Sequence, residues 1–194
     1  MVFPMKSRRG AIRGRQLGYS LIEMVMTLAV GLILVSVALP VLVGAIQSYR
    51  LNSIAQQTAE LIALARYTAI RRNSVVSLLL TPDNTTFFVD VNGNGKLDTG
   101  EPLVMLPSDM QIVNGGSPSA VPSTGLKNTQ NFAGTITFDY RGTVNFPVAG
   151  TTGPYFLVLA YTNPDQYGFR AISVIPMGQT KIWKAPKGGP WTGM

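Results

Sequence analysis

The sequence lacks cysteine and histidine altogether. Without cysteine the chain can form no disulfide, no thiol nucleophile and no thiolate metal site. Without histidine it lacks the side chain that most often serves as a general base or metal ligand. Charged residues are also scarce, at 13% of 194 residues, whereas 46% are apolar. These absences count against an enzyme, and the length suits one ordinary domain with an appendage.

Acidic residues are fewer than basic ones, 9 against 16, which gives a formal net charge of +7. Five basic residues precede Gly18, namely Lys6, Arg8, Arg9, Arg13 and Arg15. Beyond that segment 11 basic residues face 9 acidic ones, so the net charge is only about +2. The basic excess therefore lies where a membrane-topology signal would place it.

A long apolar stretch follows the basic segment, with no charged residue from Met24 to Ser48. About 25 residues form a helix of roughly 37 Å, which is long enough to cross a bilayer. Because basic flanks stay cytoplasmic, the N-terminus should lie inside and the chain after the apolar stretch should lie on the outer side of the membrane. Gly18, the small residue that could mark a cut, precedes the stretch, so cleavage there would leave the apolar helix on the mature chain.

The residues "GYSLIE", from Gly18 to Glu23, resemble the type IV prepilin signal. That signal has a basic leader ending in Gly, then an aromatic residue, and Glu at the fifth mature position. Tyr19 stands where Phe is usual. The resemblance implies cleavage after Gly18 by a prepilin peptidase and methylation of the new amine of Tyr19. It also implies a single-pass inner-membrane protein with a periplasmic globular domain, which an inner-membrane platform assembles into a filament.

Glu23 is a carboxylate at the beginning of the apolar stretch. A lone carboxylate in hydrocarbon costs several kcal/mol, so its presence needs a reason. Cleavage after Gly18 would create an ammonium group four residues away, and Glu23 of one subunit could pair with that amine of a neighbour. Such a pair would set the axial register of assembly. The alternative is a plain signal anchor with Glu23 at headgroup depth.

Apolar residues recur at helical spacing from Leu51 to Arg72 and predict an amphipathic helix continuous with the membrane segment. Its end, "ARYTAIRRN", resembles the helix–sheet junction of GspH/FimT-type minor pilins and pseudopilins. Ala65 and Ala69 would allow a sheet to approach closely, and the arginines would cap the helix C-terminus. Contact of these arginines with a neighbouring subunit or with DNA is the alternative.

The remainder predicts strands separated by turns, and hence an α+β fold with the long helix packed on an antiparallel sheet or on two such sheets. The family resemblance implies that this fold is pilin-like. The predicted strands are 74–80, 86–90, 103–106, 135–139, 143–146, 155–161, 169–175 and 180–184. "TITFDYRGTV" and "FRAISVIPMGQTKIW" resemble two hairpins of the same family, with Gly142 and Gly178 in tight turns. Asp139 and Arg141 are interpreted as a turn ion pair.

The predicted organisation has five segments. They are a leader at 1–18, a transmembrane and filament-core helix at 19–48, an amphipathic helix at 49–72, a β-rich domain at 73–184 with an exposed loop at 107–133, and a flexible tail at 185–194.

The stretch "DVNGNGKLDTGE", from Asp90 to Glu101, matches the calcium-loop pattern D-x-[DN]-x-[DN]-G-x5-E in full. The ligands would be the side chains of Asp90, Asn92, Asn94, Asp98 and Glu101 and the carbonyl of Lys96. Hard oxygen ligands favour Ca²⁺, the one cofactor expected. Strand-like flanks replace the helices of an EF-hand, so a polar hairpin turn is the alternative.

The family resemblance implies a non-catalytic minor subunit that initiates or caps a type II secretion pseudopilus or a type IV pilus, with other pilins as partners. The alternative is a FimT-like, DNA-binding minor pilin for DNA uptake. A basic end formed by Lys181, Lys184 and Lys187 lies beside Trp183, which could stack on bases. A membrane-anchored enzyme is disfavoured because no nucleophile–base set or phosphate loop appears.

Overall fold

The computed structural model describes residues 18–113, 130–132, 134–145, 154–163 and 167–194. The leader before Gly18 and most of the predicted loop at 107–133 lie outside these residues. The chain divides into two compact units, the first ending at Val41 and the second beginning at Leu42.

One helix, α1 (Leu21–Arg72), joins the predicted apolar and amphipathic segments. It begins where the amides of Glu23 and Met24 donate to the Ser20 carbonyl at 3.0 and 3.1 Å. It ends at Asn73, whose φ of 49° is left-handed, and the amide of Ser74 donates back to Ala69 O at 3.2 Å. This is the geometry of a left-handed helix stop, and asparagine is one of the few residues besides glycine that adopt it readily.

Eleven short strands in the described residues form two sheets. They are β1 (Val76–Leu80), β2 (Thr86–Asp90), β3 (Leu103–Met105), β4 (Met110–Ile112), β5 (Gln130–Asn131), β6 (Thr135–Phe138), β7 (Val144–Asn145), β8 (Tyr155–Tyr161), β9 (Phe169–Val174), β10 (Thr180–Ala185) and β11 (Thr192–Gly193). The first sheet has the order β3-β2-β1-β6-β7 and the second β11-β10-β9-β8-β4, with β5 also on β8. All pairs are antiparallel except β5 with β8. The predicted α+β fold, a long helix on antiparallel sheets, is confirmed.

The main core lies between the second half of α1 and the sheets. Its helix side chains, among them Leu51, Ile62, Ala65 and Ala69, are fully buried. A second apolar cluster includes Phe156, Phe169, Trp183 and Trp191. Strand β8 contributes alternate residues to each cluster, Leu157 to the first and Phe156 to the second. Because successive side chains of a strand point to opposite faces, both faces of β8 are covered and all seven of its residues are buried.

Two parts of the predicted organisation need correction. The ends of the predicted loop at 107–133 are the strands β4 and β5. The predicted flexible tail contains β11, which pairs with β10 through Trp183↔Gly193 and Lys184↔Thr192. Trp191 anchors the tail because its ring is 7% exposed within the second cluster. Strands of two or three residues are too short to show an alternating pattern in the sequence.

Arg66 connects α1 to two turns, one from each sheet. Its Nε donates to the carbonyl of Gly142 at 3.0 Å. Gly178 approaches the same place, since a Cβ there would meet Gly142 O at 2.5 Å and Arg66 Cδ at 2.7 Å. Arg72 likewise reaches outward, and its Nη1 donates to Val91 O at 3.4 Å. These two arginines therefore bind carbonyls of other elements, which corrects the prediction that they cap the helix.

The turn after β6 is closed by the Asp139 carboxylate. It accepts the amides of Arg141 at 2.9 Å and Thr143 at 2.8 Å, and the Thr143 hydroxyl at 2.8 Å. The Arg141 guanidinium lies over the Tyr140 ring, 5.3 Å from its centroid. The predicted Asp139–Arg141 pair is therefore chiefly a backbone turn contact. The pKa of Asp139 is lowered, because these hydrogen bonds outweigh the opposing effect of desolvation.

Candidate functional site

The predicted cleavage bond lies just before the helix. Gly18, Tyr19 and Ser20 precede α1 and have no helical structure. Tyr19 is 78% exposed, and among the described residues no atom beyond the chain neighbours of Gly18 lies within 4 Å of its Cβ position. Exposed, non-helical backbone is what a peptidase requires. Cleavage at this bond and methylation of Tyr19 remain predictions.

The first unit presents apolar side chains around the whole circumference of the helix. From Leu21 to Val41 every residue is exposed except the half-buried Gly31. The described residues contain one helix, α1, that is long and apolar enough to span a membrane by its length and composition. An apolar surface of this extent is stable only against lipid or other helices.

Glu23 is the sole charged residue between Gly18 and Val41. It lies in the first turn of α1, where the positive end of the helix dipole favours a carboxylate. This position leaves it one turn from the amine that cleavage after Gly18 would release. Its pairing with a neighbouring subunit remains a prediction.

The calcium-like loop joins β2 to β3, so the flanks are strands, as the sequence indicates. Asp90 is 4% exposed and accepts the amides of Gly93 at 2.7 Å and Gly95 at 2.8 Å. Glu101 at the other end accepts the amides of Val91 at 3.0 Å and Asp98 at 3.1 Å. Gly93 and Gly95 have φ of 76° and 71°, which L side chains rarely adopt. The first and last predicted ligands thus hold the loop together.

Asp98 lies at the centre of the same loop. The side-chain amides of Asn92 and Asn94 both donate to its Oδ2. The hydrogen bond from Asn92 has the largest effect in lowering the pKa of Asp98, and that from Asn94 comes next. The nearby positive charge of Lys96 lowers this pKa by a smaller amount. The side-chain oxygens of Asn92 and Asn94 accept the amides of Asn94 at 3.0 Å and Lys96 at 2.8 Å.

The six predicted calcium ligands are therefore in one closed loop, but the described residues contain no group of three or more acidic side chains placed to hold a metal. The carboxylates of Asp90 and Glu101 are bound by backbone amides, and that of Asp98 by side-chain amides. A cation would have to use the remaining lone pairs and to reorient the two asparagine amides. The donor set suits Ca²⁺ chemically, and binding remains a prediction.

The predicted DNA-contacting residues do not form one surface. The Trp183 ring is 8% exposed, and its Nε1–H donates to Ser173 Oγ at 3.0 Å. Lys181 Nζ lies over the same ring, 4.2 Å from its centroid. Trp183 therefore offers no free face to a base, which removes the stacking contribution that the sequence suggested. Lys184, one residue on, projects from the opposite face of β10, and Lys187 follows the strand.

Arg170 is a buried cation that the sequence pattern did not single out. It is 0% exposed in β9, and its Nε donates to Asn52 Oδ1 of α1. Its Nη1 donates to Phe169 O at 2.9 Å and its Nη2 to Ser48 Oγ at 3.1 Å. Burial lowers the pKa of Arg170. The available signal was an arginine inside "FRAISV", a strand in which Ser173 is the other polar residue.

Comparisons with known proteins identify the family. The family model described as type II transport protein GspH matches residues 55–178, and the prokaryotic N-terminal methylation motif matches residues 13–39. No curated protein matches the sequence.

The solved structures that the chain resembles include a minor pilin and a minor pseudopilin. The type IV minor pilin FimU of Pseudomonas aeruginosa strain PAO1 has a TM-score of 0.46 and 15% identity over 74% of this chain and 93% of that chain. The minor pseudopilin EpsH from the Type 2 Secretion System of Vibrio cholerae has a TM-score of 0.38 and 12% identity over 74% of this chain and 95% of that chain.

The methylation motif coincides with the exposed Gly18–Tyr19 bond and the uncovered apolar helix, as in a single-pass, membrane-anchored protein. The GspH model covers more than half of the chain, including the second half of α1 and most of both sheets. The chain therefore belongs to the GspH family of minor pilins and pseudopilins, whose members are structural filament subunits and not enzymes.

Proposed function

We propose that this protein is a minor subunit that initiates or caps a filament, either a type II secretion pseudopilus or a type IV pilus. The observation that carries the proposal is the helix from Leu21 to Val41, which is apolar on every side and, among the described residues, is exposed along its length apart from the half-buried Gly31. Its single carboxylate, Glu23, lies in the first turn. A surface of this kind suits storage in lipid followed by burial among other helices.

The leader is cut between Gly18 and Tyr19 by a prepilin peptidase, which also methylates the amine of Tyr19. The mature chain then waits in the inner membrane with its second unit in the periplasm, in accord with the basic residues before Gly18. An inner-membrane assembly platform moves the helix into the filament. There the apolar surface packs on other pilins, and Glu23 meets the methylated amine of a neighbour.

Mass spectrometry of the membrane-extracted protein tests the processing step. We expect a mature chain that begins at Tyr19 and carries one extra methyl group on its amine. A Gly18→Val variant should accumulate with its leader attached, because a branched side chain at the cut would not fit where glycine is required. Finding an intact leader on the wild-type protein in assembled filaments would contradict the proposal.

We further propose that the loop from Asp90 to Glu101 binds Ca²⁺ and that binding stabilises the second unit. Three carboxylates and one lysine give this loop a net charge near −2, and Asp90 is already fixed by two glycine amides. Extracellular calcium-binding modules have dissociation constants on the order of 10⁻⁴ to 10⁻³ M. When the free Ca²⁺ concentration is ten times the dissociation constant, binding raises the free energy of unfolding by about 1.4 kcal/mol.

Calorimetry and thermal unfolding of the purified chain, after chelation and on return of calcium, test this proposal. We expect binding heat and a higher melting temperature at millimolar Ca²⁺, both lost in Asp98→Asn. Asp83→Asn is the matched control, since Asp83 is an exposed aspartate of the β1–β2 turn that accepts the Thr85 hydroxyl at 2.7 Å. Absence of heat and of any thermal shift in the wild type would leave the hairpin turn as the correct interpretation.

A further inference from the structure

We propose that a groove beside α1 binds the phosphate of an anionic phospholipid headgroup, with Lys184 and Lys187 at its rim and the buried guanidinium of Arg170 next to its wall. The proposal rests on the membrane anchoring of the chain and is independent of filament assembly. It assigns the second unit a lipid contact in addition to the apolar helix.

The groove has a volume of about 440 Å³. Gly44 and Ser48, one turn apart on α1, form one wall. Tyr167, Gly168 and the segment Lys184–Lys187 form the opposite wall, where β9 begins and β10 ends. The lining therefore combines an apolar surface with two lysines and a serine hydroxyl. The polar groups suit a lipid headgroup, and the apolar surface suits the first methylene groups of its chains.

Arg170 brings positive charge to this groove from within the protein. Its guanidinium is fully buried, and the partners that the described residues give it are neutral oxygens of Asn52, Phe169 and Ser48. Ser48 both accepts from Arg170 and lines the groove. A buried cation is costly unless an anion lies close enough to compensate it. A phosphate in the groove would supply that negative charge through the Ser48 wall.

Lys184 increases the positive charge at the same place. It is the direct cross-strand partner of Arg170 in the β9–β10 register, and directly opposed residues project from the same face of a sheet. Like charges in this arrangement repel each other and destabilise the pair. An anion in the groove, beside Lys184 and separated from Arg170 by the Ser48 wall, would attract both cations and offset this repulsion, which is why we assign the groove an anionic ligand.

The position of the groove along the chain indicates that the anion belongs to a lipid. The uncharged stretch that begins at Met24 ends at Tyr49, just before Arg50. Gly44 and Ser48 therefore lie at the depth where hydrocarbon gives way to headgroups. The two residues after Ser48 are Tyr49, which is 75% exposed, and the exposed Arg50. An exposed tyrosine at the end of an apolar helix is typical of either membrane interface. A phospholipid phosphate is therefore the anion present at this depth.

Lipid binding by the full-length chain in a neutral detergent tests the proposal. Native mass spectrometry would follow titration with short-chain phosphatidylglycerol and, separately, with phosphatidylcholine of the same chain length. We expect at least tenfold tighter binding of phosphatidylglycerol. Each lysine near an anionic surface contributes about fivefold, so Lys184→Gln with Lys187→Gln should weaken that binding about 25-fold.

A matched control removes the same charge elsewhere in the second unit. Arg71→Gln with Arg141→Gln should bind phosphatidylglycerol as the wild type does, since Arg71 is exposed in the last turn of α1 and Arg141 is exposed in the turn after β6. Tryptophan fluorescence of all variants confirms that each is folded. An equal loss in the control pair would show a general charge effect and overturn the proposal.

Two further arms distinguish the sources of phosphate. Inorganic phosphate should displace phosphatidylglycerol only weakly, and a short DNA duplex should not displace it at all. Equal affinity for free phosphate, or DNA binding that depends on the same two lysines without a preference for phosphatidylglycerol, would overturn the lipid assignment. Because no filament forms in this experiment, its failure and a failure of the assembly proposal are separable.

Discussion

Glu23→Gln is expected to remove the protein from its filament while leaving leader cleavage intact. Glutamine keeps the size and shape of glutamate, removes its charge and replaces one acceptor oxygen by an NH₂ donor. Glu23 is the sole charged residue of the first unit from Gly18 onward, so nothing nearby on the same helix can replace it. The variant therefore isolates the contribution of the ion pair.

The expected loss is large because the pair would be buried among apolar helices. Leaving one member of a buried ion pair uncompensated costs about 3–5 kcal/mol. That corresponds to a factor of more than 100 in an equilibrium constant. In the membrane, by contrast, the neutral side chain is less costly than the carboxylate, so the variant should be retained there as processed protein.

The measurement compares the amount of the protein in sheared filaments with that in the membrane, in cells that express the rest of the assembly system. Thr27→Val is the matched control, because it replaces another polar residue of the same helix whose hydroxyl only donates to Met24 O at 2.9 Å. The control should enter filaments normally. Incorporation of Glu23→Gln at the wild-type level would refute the pairing.

The elements that the sequence predicted well are those with long, local patterns. The apolar run and the helical spacing after Leu51 cover 52 consecutive residues of α1. Strands β2, β8 and β9 are five to seven residues long and lie close to their predicted bounds. The loop from Asp90 to Glu101 was also placed correctly between two strands, because its spacing is local.

Features that depend on distant contacts were not predictable. Trp183 and Lys181 share one face of β10, a pattern that indicates a solvent-exposed basic surface. Trp191, in a segment with no periodicity of its own, belongs to the apolar cluster that buries Trp183. The burial of Arg170 depends on Asn52 and Ser48, 118 and 122 residues earlier in the chain. No local window contains both members of these contacts.

Gly178→Ala is expected to destabilise the second unit strongly. Of the two glycine turns that Arg66 contacts, at Gly142 and Gly178, we expect the larger loss of stability from a methyl group at Gly178. The φ of Gly178 is 75°, where L side chains are strained. A Cβ would also lie 2.5 Å from the Gly142 carbonyl oxygen and 2.8 Å from Arg66 Nε. The arginine can move, but the carbonyl is backbone and accepts the Arg66 hydrogen bond. One methyl group would therefore push the Gly178 turn away from the Gly142 turn and from α1.

We expect a free-energy loss of about 3 kcal/mol or more, because strain of about 1–2 kcal/mol adds to the cost of forcing the backbone apart. For a chain of this size that lowers the melting temperature by roughly 6–12 °C. Unfolding of the full chain in detergent, followed by fluorescence of Trp183 and Trp191, measures the effect. Both tryptophans are buried in the second cluster, so they report loss of the second unit.

Gly188→Ala separates backbone strain from the steric clash. Gly188 has a φ of 94°, but in the described part of the chain no atom beyond its chain neighbours lies within 4 Å of a Cβ there, so alanine should cost only the strain, about 1–2 kcal/mol. Arg66→Ala combined with Gly178→Ala tests which neighbour matters. Since the carbonyl of Gly142 stays in place when Arg66 is shortened, the double variant should recover little stability. Full recovery would assign the clash to the arginine alone, and equal losses in Gly178→Ala and Gly188→Ala would show that the contact with Gly142 contributes nothing.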